Sequence, residues 1–398
     1  MLRPSTGILK NTTCWTLTVL SNAEGMLKTF IGFLGLAVAA LCASSSTLQN
    51  VVVPKDHPLI FFHGRWDKSP ETWWAGSGFK LHVENLQSLS LSLGNHTTTP
   101  LASIGVSVDY EPFVTVNVSV GTNTIIFEKS LTGAKAKSVV RINVEGWQNN
   151  RINLENIILN PGARLLPYTP SRLAFQFIGD SLSAGQFLPQ GVDQAWPILT
   201  GEYVKAEHIV NAQSGAALTD IVSFGNQHGL SFQFFRTEDT GYYFTTDHNF
   251  TTPWEFRRDV PPATHVVIHI GANDSSQNVT QAAFIETFLN FLSRLRTIYH
   301  TQPIFVFTPW GWLNAGGTVS QYYPDAYQQI VDGRHRLGDR NVFLVNTTGW
   351  VTFADVFPDN QHPNVAGHAK IAGLFEKWLE QWESYDTLKH TVIFLSRT

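Results

Sequence analysis

A serine stands directly after a short apolar run in the stretch 175–185, which reads Phe-Gln-Phe-Ile-Gly-Asp-Ser-Leu-Ser-Ala-Gly. The apolar run Phe175 to Ile178 predicts a β-strand, and the residues from Gly179 predict a sharp turn followed by a helix. Ser181 would then lie at the carboxyl edge of a sheet, where α/β folds bind their ligands. Because a serine hydroxyl is a weak nucleophile by itself, it needs a base and oxyanion donors nearby.

Residues of both kinds occur further along the chain. In Asp359-Asn-Gln-His-Pro, His362 is a candidate general base and Asp359 a candidate partner that orients the imidazole. Gly271-Ala-Asn-Asp follows the apolar run Val266–Ile270 and presents the Asn273 amide at the same predicted edge. Gly215, after the strand-like 208–210, could offer an unobstructed backbone N–H.

Each motif alone is typical of an ordinary turn, but their order and their positions beside predicted strands favour catalysis. GDSL, a later glycine, GxND and DxxHP in this order resemble the SGNH (GDSL-type) hydrolase superfamily. The resemblance implies that Ser181 is the nucleophile, His362 the base and Asp359 the residue that orients the base. It also implies an oxyanion hole made of the N–H groups of Ser181 and Gly215 and the side chain of Asn273.

The N-terminal segment 1–46 predicts a leader. Met26 starts a short basic region, residues 30–41 form an apolar core and Ala43 lies in a small-residue stretch, as in a secretory signal peptide. Residues 1–25 would then be an upstream extension that is not translated. Since the apolar core is shorter than a membrane span, an uncleaved anchor is the minor alternative. Both cysteines of the chain lie in this leader, so the mature protein would have neither a thiol nor a disulfide.

Composition also favours an extracellular protein without nucleic-acid partners. The formal net charge is −4, and no basic tract is present. N-x-S/T sequons predict N-glycosylation, at Asn95, Asn117, Asn249, Asn278 and Asn346. Asn273 also heads such a pattern, but it would have to stay unmodified to serve an oxyanion hole.

Residues 47–165 consist of short alternating runs punctuated by Gly, Asn, Thr and Pro, which predicts an antiparallel β-sandwich of the jelly-roll type. Aromatic residues crowd its opening, in Phe62–Asp67 and Trp73–Phe79. They could close one end of the sandwich or face a glycan. A jelly roll with this opening, followed by an SGNH domain, resembles carbohydrate esterase family 2. That resemblance implies acetyl esterases that act on plant polysaccharides, some of which orient the histidine by a backbone carbonyl instead of a carboxylate.

Residues 166–385 change to alternating strands and helices, which predicts a parallel sheet with helices on both faces, the flavodoxin-like three-layer α/β arrangement of SGNH hydrolases. Helical periodicity is clear in 284–298 and again in 371–379. Residues 386–398 are left as a C-terminal tail without a role. The strand candidates are Leu173–Ile178, His208–Val210, Val266–Ile270, Ile304–Thr308 and Val342–Val345.

Two aromatic stretches lie near the predicted site. Trp310 and Trp312 follow the fourth strand and could stack on a sugar ring or anchor a packed loop. The long stretch Phe232–Trp254 could wall the cleft or contact the sandwich. No paired-His motif or carboxylate cluster is present in the sequence, so neither a metal nor another cofactor is expected.

The sequence therefore predicts a secreted, monomeric serine esterase that deacetylates a polysaccharide or oligosaccharide. One alternative is an SGNH lipid or phospholipid esterase, which would need an apolar groove for the acyl chain. The other is a non-catalytic, secreted glycan-binding protein whose working part is the sandwich.

Overall fold

A computed structural model describes residues 49–127, 135–147, 150–238 and 252–395, the last helix beyond residue 382 by its backbone alone. These described residues belong to one compact unit. The predicted leader with Met26, both cysteines and the sequon at Asn249 lie outside the described residues. In the part that is described, no helix is long and apolar enough to cross a membrane.

The N-terminal part is a sandwich of two antiparallel sheets, as its alternating pattern predicts. The strands are β1 Val51–Pro54, β2 Phe61–His63, β3 Glu71–Thr72, β4 Gly78–Glu84, β5 Leu89–Leu93, β6 Ala102–Val108, β7 Val114–Val118, β8 Gly121–Ile126, β9 Lys137–Val144, β10 Ile152–Leu159 and β11 Arg164–Leu166. Leucines at alternate positions of Leu89–Leu93 are buried while the serines between them are half-buried, so one face of this strand packs on the core. One sheet has the order β1-β10-β5-β8, with β3 against β10, and the other has the order β11-β4-β9-β6-β7, with β2 against β4.

The C-terminal part is built on a five-stranded parallel sheet of β12 Ala174–Asp180, β13 Glu207–Gln213, β14 His265–His269, β15 Ile304–Phe307 and β18 Val342–Val345, beside a small hairpin of β16 Trp312–Leu313 and β17 Val319–Ser320. The order of the strands in the parallel sheet is β13-β12-β14-β15-β18. This is the flavodoxin-like order, whose switch point lies between the first and third strands of the sheet, here β12 and β14. The predicted fold class is confirmed for both parts.

The helices cover the parallel sheet, and local sequence explains where one of the longer helices begins and which face of it is buried. Thr280 caps the helix Gln281–Leu295 by accepting a hydrogen bond from the N–H of Ala283, and the apolar stripe of this helix is buried. The helices are α1 Ser181–Ala184, α2 Trp196–Tyr203, α3 Leu230–Gln233, α4 Ala272–Ser276, α5 Gln281–Leu295, α6 Ala326–Arg336 and α7 Val365–Leu395, with short 3₁₀ turns at Gly191–Gln194, Phe256–Arg258 and Phe353–Asp355. The helix after Ser181 has only one turn, and α7 continues through most of the predicted tail.

The tryptophans at the aromatic opening of the sandwich are buried and so do not face a glycan, and one of them joins the two parts. Trp74 is fully buried in the core of the α/β part, and its Nε1–H donates a hydrogen bond to the carbonyl of Thr237 at 3.0 Å. Arg65 is 1% exposed, and its guanidinium lies about 5 Å from the ring centroids of Phe234 and Trp254. The described ends of Phe232–Trp254 therefore contact the sandwich, which is one of the two alternatives that its sequence leaves open.

Candidate active site

Ser181 is the first residue of α1, directly beyond the end of β12. Asp180 caps this helix, since its Oδ1 accepts the N–H of Leu182 at 3.0 Å. Gly179 lets the strand approach its neighbours closely: a Cβ there would lie 2.4 Å from Ser183 Oγ and 2.8 Å from the His269 carbonyl oxygen. The turn is thus tightly packed and holds Ser181, which is 7% exposed, at the carboxyl edge of the sheet.

His362 meets Ser181 although 181 positions separate them in the chain. His362 Nε2 lies 2.9 Å from Ser181 Oγ, and His362 Nδ1 lies 3.0 Å from the carbonyl oxygen of Asn360. A carbonyl can only accept a hydrogen bond, so Nδ1 carries the proton and Nε2 is left as the acceptor that faces the serine hydroxyl. Burial lowers the pKa of His362, and the hydrogen bond to Asn360 raises it by less. The net lowering of the pKa keeps the imidazole neutral near pH 7. This is the protonation state that a general base requires.

Asp359 does not occupy the place that the resemblance implies. Its side chain is exposed, and its Oδ1 accepts a hydrogen bond from Asn360 Nδ2 at 3.3 Å. The physical reason is a tight turn: Gln361 has φ of 60°, and His362 N–H donates to Asn360 Oδ1 at 3.0 Å. This turn directs the main-chain carbonyl of Asn360 at the imidazole, so a backbone group takes the orienting position instead of a carboxylate.

The structure therefore predicts a small effect for Asp359→Asn. In a Ser-His-Asp triad the same change lowers kcat by about 10⁴-fold. Here it should lower kcat on 4-nitrophenyl acetate by less than about fivefold, because the exposed side chain makes no hydrogen bond to His362. Steady-state kinetics of the two proteins at pH 7 would measure it, and a loss above about 10³-fold would restore Asp359 to the triad.

The two residues expected to complete an oxyanion hole with Ser181 lie in two loops at the same edge. Gly215 follows β13 with φ of 77°, and a Cβ at this residue would lie 2.7 Å from Phe224 Cβ. Asn273, in α4 beyond β14, donates from Nδ2 to the carbonyl of Ala216 at 2.9 Å. An amide nitrogen has two hydrogens, so the second one remains for a substrate oxygen. The structure thus brings Asn273 to the loop of Gly215, on the sheet edge where Ser181 also lies.

Asp274 fixes the loop that contains Gly215 through hydrogen bonds to its backbone. Its carboxylate is buried and accepts the N–H groups of Leu218 at 2.7 Å and Thr219 at 2.9 Å. Burial raises the pKa of Asp274. Burial also raises the pKa of Asp180 to about 7, and the nearby negative charge of Asp274 adds to this increase. The motif that carries Asn273 therefore also fixes the loop whose N–H would face the substrate.

The two tryptophans proposed to stack on sugar have different surroundings. Trp310 is 5% exposed, and its ring stacks on the ring of His269 with 4.0 Å between centroids. It is a packed anchor, so its predicted role as a sugar platform is wrong: the ring face that would stack is already covered. Trp312 is half-buried against Tyr322, and the N–H of Leu313 beside it donates to Gln361 Oε1 at 3.0 Å. A sugar contact by Trp312 stays a prediction.

Aromatic side chains form a rim beside the catalytic pair that no sequence pattern predicts. Phe187 is 43% exposed, and its ring stands edge-on to His362 at 5.0 Å between centroids. Trp147, from the loop after β9 of the sandwich, lies 5.6 Å from Phe187. Phe224, 60% exposed, lies against Gly215. No sequence pattern marks these residues, because their position depends on φ values of 72° at Phe187 and 44° at Phe224, which bulky side chains rarely adopt.

The predicted glycosylation sites are compatible with the structure where it describes them. Asn95, Asn117, Asn278 and Asn346 are exposed, while Asn273 is half-buried at the site. Glycosylation itself stays a prediction. Among the described residues, no group of three or more His, Cys, Asp or Glu side chains could hold a metal ion.

Comparison with known proteins bears on the catalytic part. Residues 177–370 match the model of the GDSL-like lipase/acylhydrolase family. The matched segment contains Ser181, Asn273 and His362. The match confirms the predicted superfamily and, with the Ser181–His362 pair, the prediction of an ester hydrolase. A comparison with curated proteins finds no match.

Solved structures share the fold of both parts of the chain. A family two carbohydrate esterase from Clostridium thermocellum in complex with cellohexaose has a TM-score of 0.65 at 20% identity, covering 82% of this chain and 99% of its own. A family two carbohydrate esterase from Cellvibrio japonicus has a TM-score of 0.66 at 17% identity, covering 83% and 97%. An acetyl xylan esterase from the rumen bacterium Butyrivibrio proteoclasticus has a TM-score of 0.66 at 12% identity, covering 85% and 99%. These similarities extend the fold assignment to the jelly-roll part.

Proposed function

We propose that this protein is a secreted serine esterase that removes O-acetyl groups from plant cell-wall polysaccharide. The observation that carries the proposal is the 2.9 Å contact between Ser181 Oγ and the acceptor nitrogen of His362. The names of the similar structures, carbohydrate esterases and an acetyl xylan esterase, support the substrate class. The proposal of secretion rests on the predicted leader and on the sequons that follow it in the chain.

Acylation begins when Ser181 Oγ attacks the carbonyl carbon of the acetyl ester and its proton moves to His362 Nε2. The imidazolium that forms keeps its Nδ1–H on the Asn360 carbonyl, whose dipole stabilises the positive charge. The carbonyl oxygen becomes an oxyanion, held by Asn273 Nδ2 and the N–H groups of Gly215 and Ser181. As the intermediate collapses, the bond to the sugar oxygen breaks, and that oxygen takes the proton from Nε2.

Deacylation repeats these steps with water. His362 Nε2 takes a proton from a water molecule, whose oxygen attacks the acetyl-serine carbonyl. The second tetrahedral intermediate expels Ser181 Oγ, which recovers its proton from the imidazolium, and acetic acid leaves. The reaction consumes one ester and one water, and it needs no cofactor.

The aromatic rim supports a sugar as the alcohol part of the ester. The exposed rings of Phe187 and Phe224 offer apolar faces beside His362 and Gly215, and sugar rings present apolar C–H faces. An acyl-chain esterase would instead use these rings for a fatty chain, which remains the alternative within the same chemistry.

The test is acetate release from a panel of acetylated xylan, glucomannan, pectin and chitin, run beside 4-nitrophenyl acetate and 4-nitrophenyl decanoate. We expect release from xylan or glucomannan and a kcat/KM for the acetate at least about tenfold above that for the decanoate. Preference for decanoate with no acetate release would establish the lipid-esterase alternative. Sugar affinity without hydrolysis of any ester would establish a glycan-binding protein.

A further inference from the structure

A second groove lies far from Ser181, between the sandwich and the α/β part. We call it the joint groove; its volume is about 880 Å³, and its lining includes Lys80, Tyr110, Tyr168, Tyr203, Glu207 and Gly373. Glu207 is the first residue of β13, whereas Ser181 follows the last residue of the parallel neighbour β12. The two sites are therefore at opposite ends of these seven-residue strands, roughly 20 Å apart. This volume is within the usual range of ligand sites.

Tyr110 is held in the groove in an unfavourable backbone conformation. It is 53% exposed with φ of 66°, in the left-handed region that bulky residues rarely adopt. Asp109 before it, with φ of 55°, fixes the turn by accepting the N–H of Val139 at 2.9 Å and the hydroxyl of Ser138 at 3.2 Å. Strain of this kind persists where the surroundings over-determine it, and it is concentrated at binding sites.

The ring of Tyr110 is also fixed before any ligand arrives. The guanidinium of Arg141 lies 4.5 Å from its ring centroid, and its hydroxyl lies 3.0 Å from that of Tyr168. A second ring, Tyr203 at the end of α2, is 62% exposed on the same groove. Rings that are set in advance lose little conformational entropy when a flat, partly apolar ligand stacks on them.

The charges at the base of the groove are neutralised within the protein. Lys80 Nζ lies 2.5 Å from Glu207 Oε2, and Tyr168 donates its hydroxyl to Glu207 Oε1 at 2.9 Å. Arg141 forms an ion pair with Glu202. Lys205, exposed on the lining, is the one charged side chain there for which the described residues show no ion pair. A charged ligand would therefore find a single countercharge, whereas a neutral ligand with many hydroxyls can bond to the paired polar groups and stack on the tyrosines.

We propose that the joint groove binds a neutral oligosaccharide chain on the rings of Tyr110 and Tyr203, as a non-catalytic site. The proposal rests on the proposed function, since a polysaccharide esterase would meet such chains. A polymer held here would keep the enzyme on its substrate while Ser181 acts on acetyl groups elsewhere, which raises their effective concentration.

The test measures binding of cellohexaose, xylohexaose and mannohexaose by calorimetry to the whole chain carrying Ser181→Ala, which prevents turnover. Adding Tyr203→Ala should weaken binding of at least one hexaose by about tenfold, because the exposed stacking face is lost. Tyr203→Phe keeps this face and should bind as the parent does. Binding at the catalytic site is common to all these proteins, so the difference reports the joint groove alone.

A second pair of variants fills the groove without removing any contact. Gly373 lies in α7, and a Cβ there would have no atom within 4 Å. Gly373→Phe should block the groove and abolish the same binding, while Gly373→Ala should leave it unchanged and keep or improve helix stability. Equal binding by the parent, Tyr203→Ala and Gly373→Phe, or no binding of any hexaose by the parent, would overturn the proposal.

Hydrolysis separates this inference from the proposed function. With Ser181 restored, Tyr203→Ala and Gly373→Phe should keep the kcat/KM of the parent on 4-nitrophenyl acetate and raise KM on acetylated polymer. Full esterase activity with no groove binding would contradict the joint groove alone. Groove binding in a protein that hydrolyses no ester would contradict the esterase alone.

Discussion

Ser181→Ala is expected to lower kcat on 4-nitrophenyl acetate by about 10⁴-fold or more. The variant removes the only atom that can form the acyl-enzyme in this mechanism, and His362 Nε2, 2.9 Å away in the parent, then has no hydroxyl to activate. The residual activity of this variant would come from direct attack of water on the ester, assisted by the oxyanion donors. The measurement is initial-rate kinetics at pH 7, with thermal unfolding to show that the variant is folded.

Ser183→Ala is the matched control for this prediction. Ser183 lies two residues away in the same helical turn, is fully buried, and its Oγ has no hydrogen-bond partner among the described residues. Removing an unpaired buried hydroxyl costs little stability, so this variant should keep activity within about threefold. If Ser181→Ala kept a tenth of the parent activity, or if both variants lost it equally, Ser181 would not be the nucleophile.

The strands and the catalytic pair could be predicted because their signals are local. The apolar run before Gly179 predicts β12, and the structure has it at Ala174–Asp180. Parallel strands bring their carboxyl ends to one edge, so Ser181 and Asn273 had to approach each other once the strands were assigned. The order of the motifs then made His362 the natural base.

The group that orients His362 could not be predicted, because it depends on a single backbone angle. Asp359 and the carbonyl of Asn360 are both close to His362 in the chain, and the spacing alone favours the carboxylate. The φ of 60° at Gln361 turns the backbone so that the Asn360 carbonyl, and not the Asp359 carboxylate, accepts the hydrogen bond from His362 Nδ1. The same limit applies to Phe187 and Phe224, whose positive φ values place them at the site.

Burial of a side chain by a distant part of the chain also could not be predicted from the sequence. Trp310 follows a strand that ends at the active edge, which suggested exposure, yet the ring of His269 covers it. Trp74 belongs to a sandwich segment in the sequence but packs in the core of the α/β part. Neither contact has a counterpart in local periodicity, since both depend on how elements that are far apart in the chain meet.

Asn273→Ala should have the second-largest effect, a fall in kcat of about 10²–10³-fold with a much smaller change in KM. The amide hydrogen that does not bond to Ala216 would strengthen its bond to the substrate only as charge develops on the carbonyl oxygen, so its loss should raise the energy of the transition state. Single-turnover kinetics with 4-nitrophenyl acetate would separate this loss in acylation from any change in product release.

A purely structural role of Asn273 predicts a different result. Its bond to the Ala216 carbonyl also holds the Gly215 loop, so alanine could act by loosening that loop. Asp274 still accepts the N–H groups of Leu218 and Thr219 in this variant and should keep the loop in place. We therefore expect an unfolding temperature close to that of the parent.

The matched control is Ser276→Ala, in the same helix, where an exposed hydroxyl donates only to the Ala272 carbonyl. Its activity should equal that of the parent. A fall in activity for Asn273→Ala that is matched by a rise in KM and by lost thermal stability would assign Asn273 to the loop and not to the oxyanion. A fall in kcat alone, at full stability, requires the amide to act on the substrate, because nothing else that it contacts changes during the reaction.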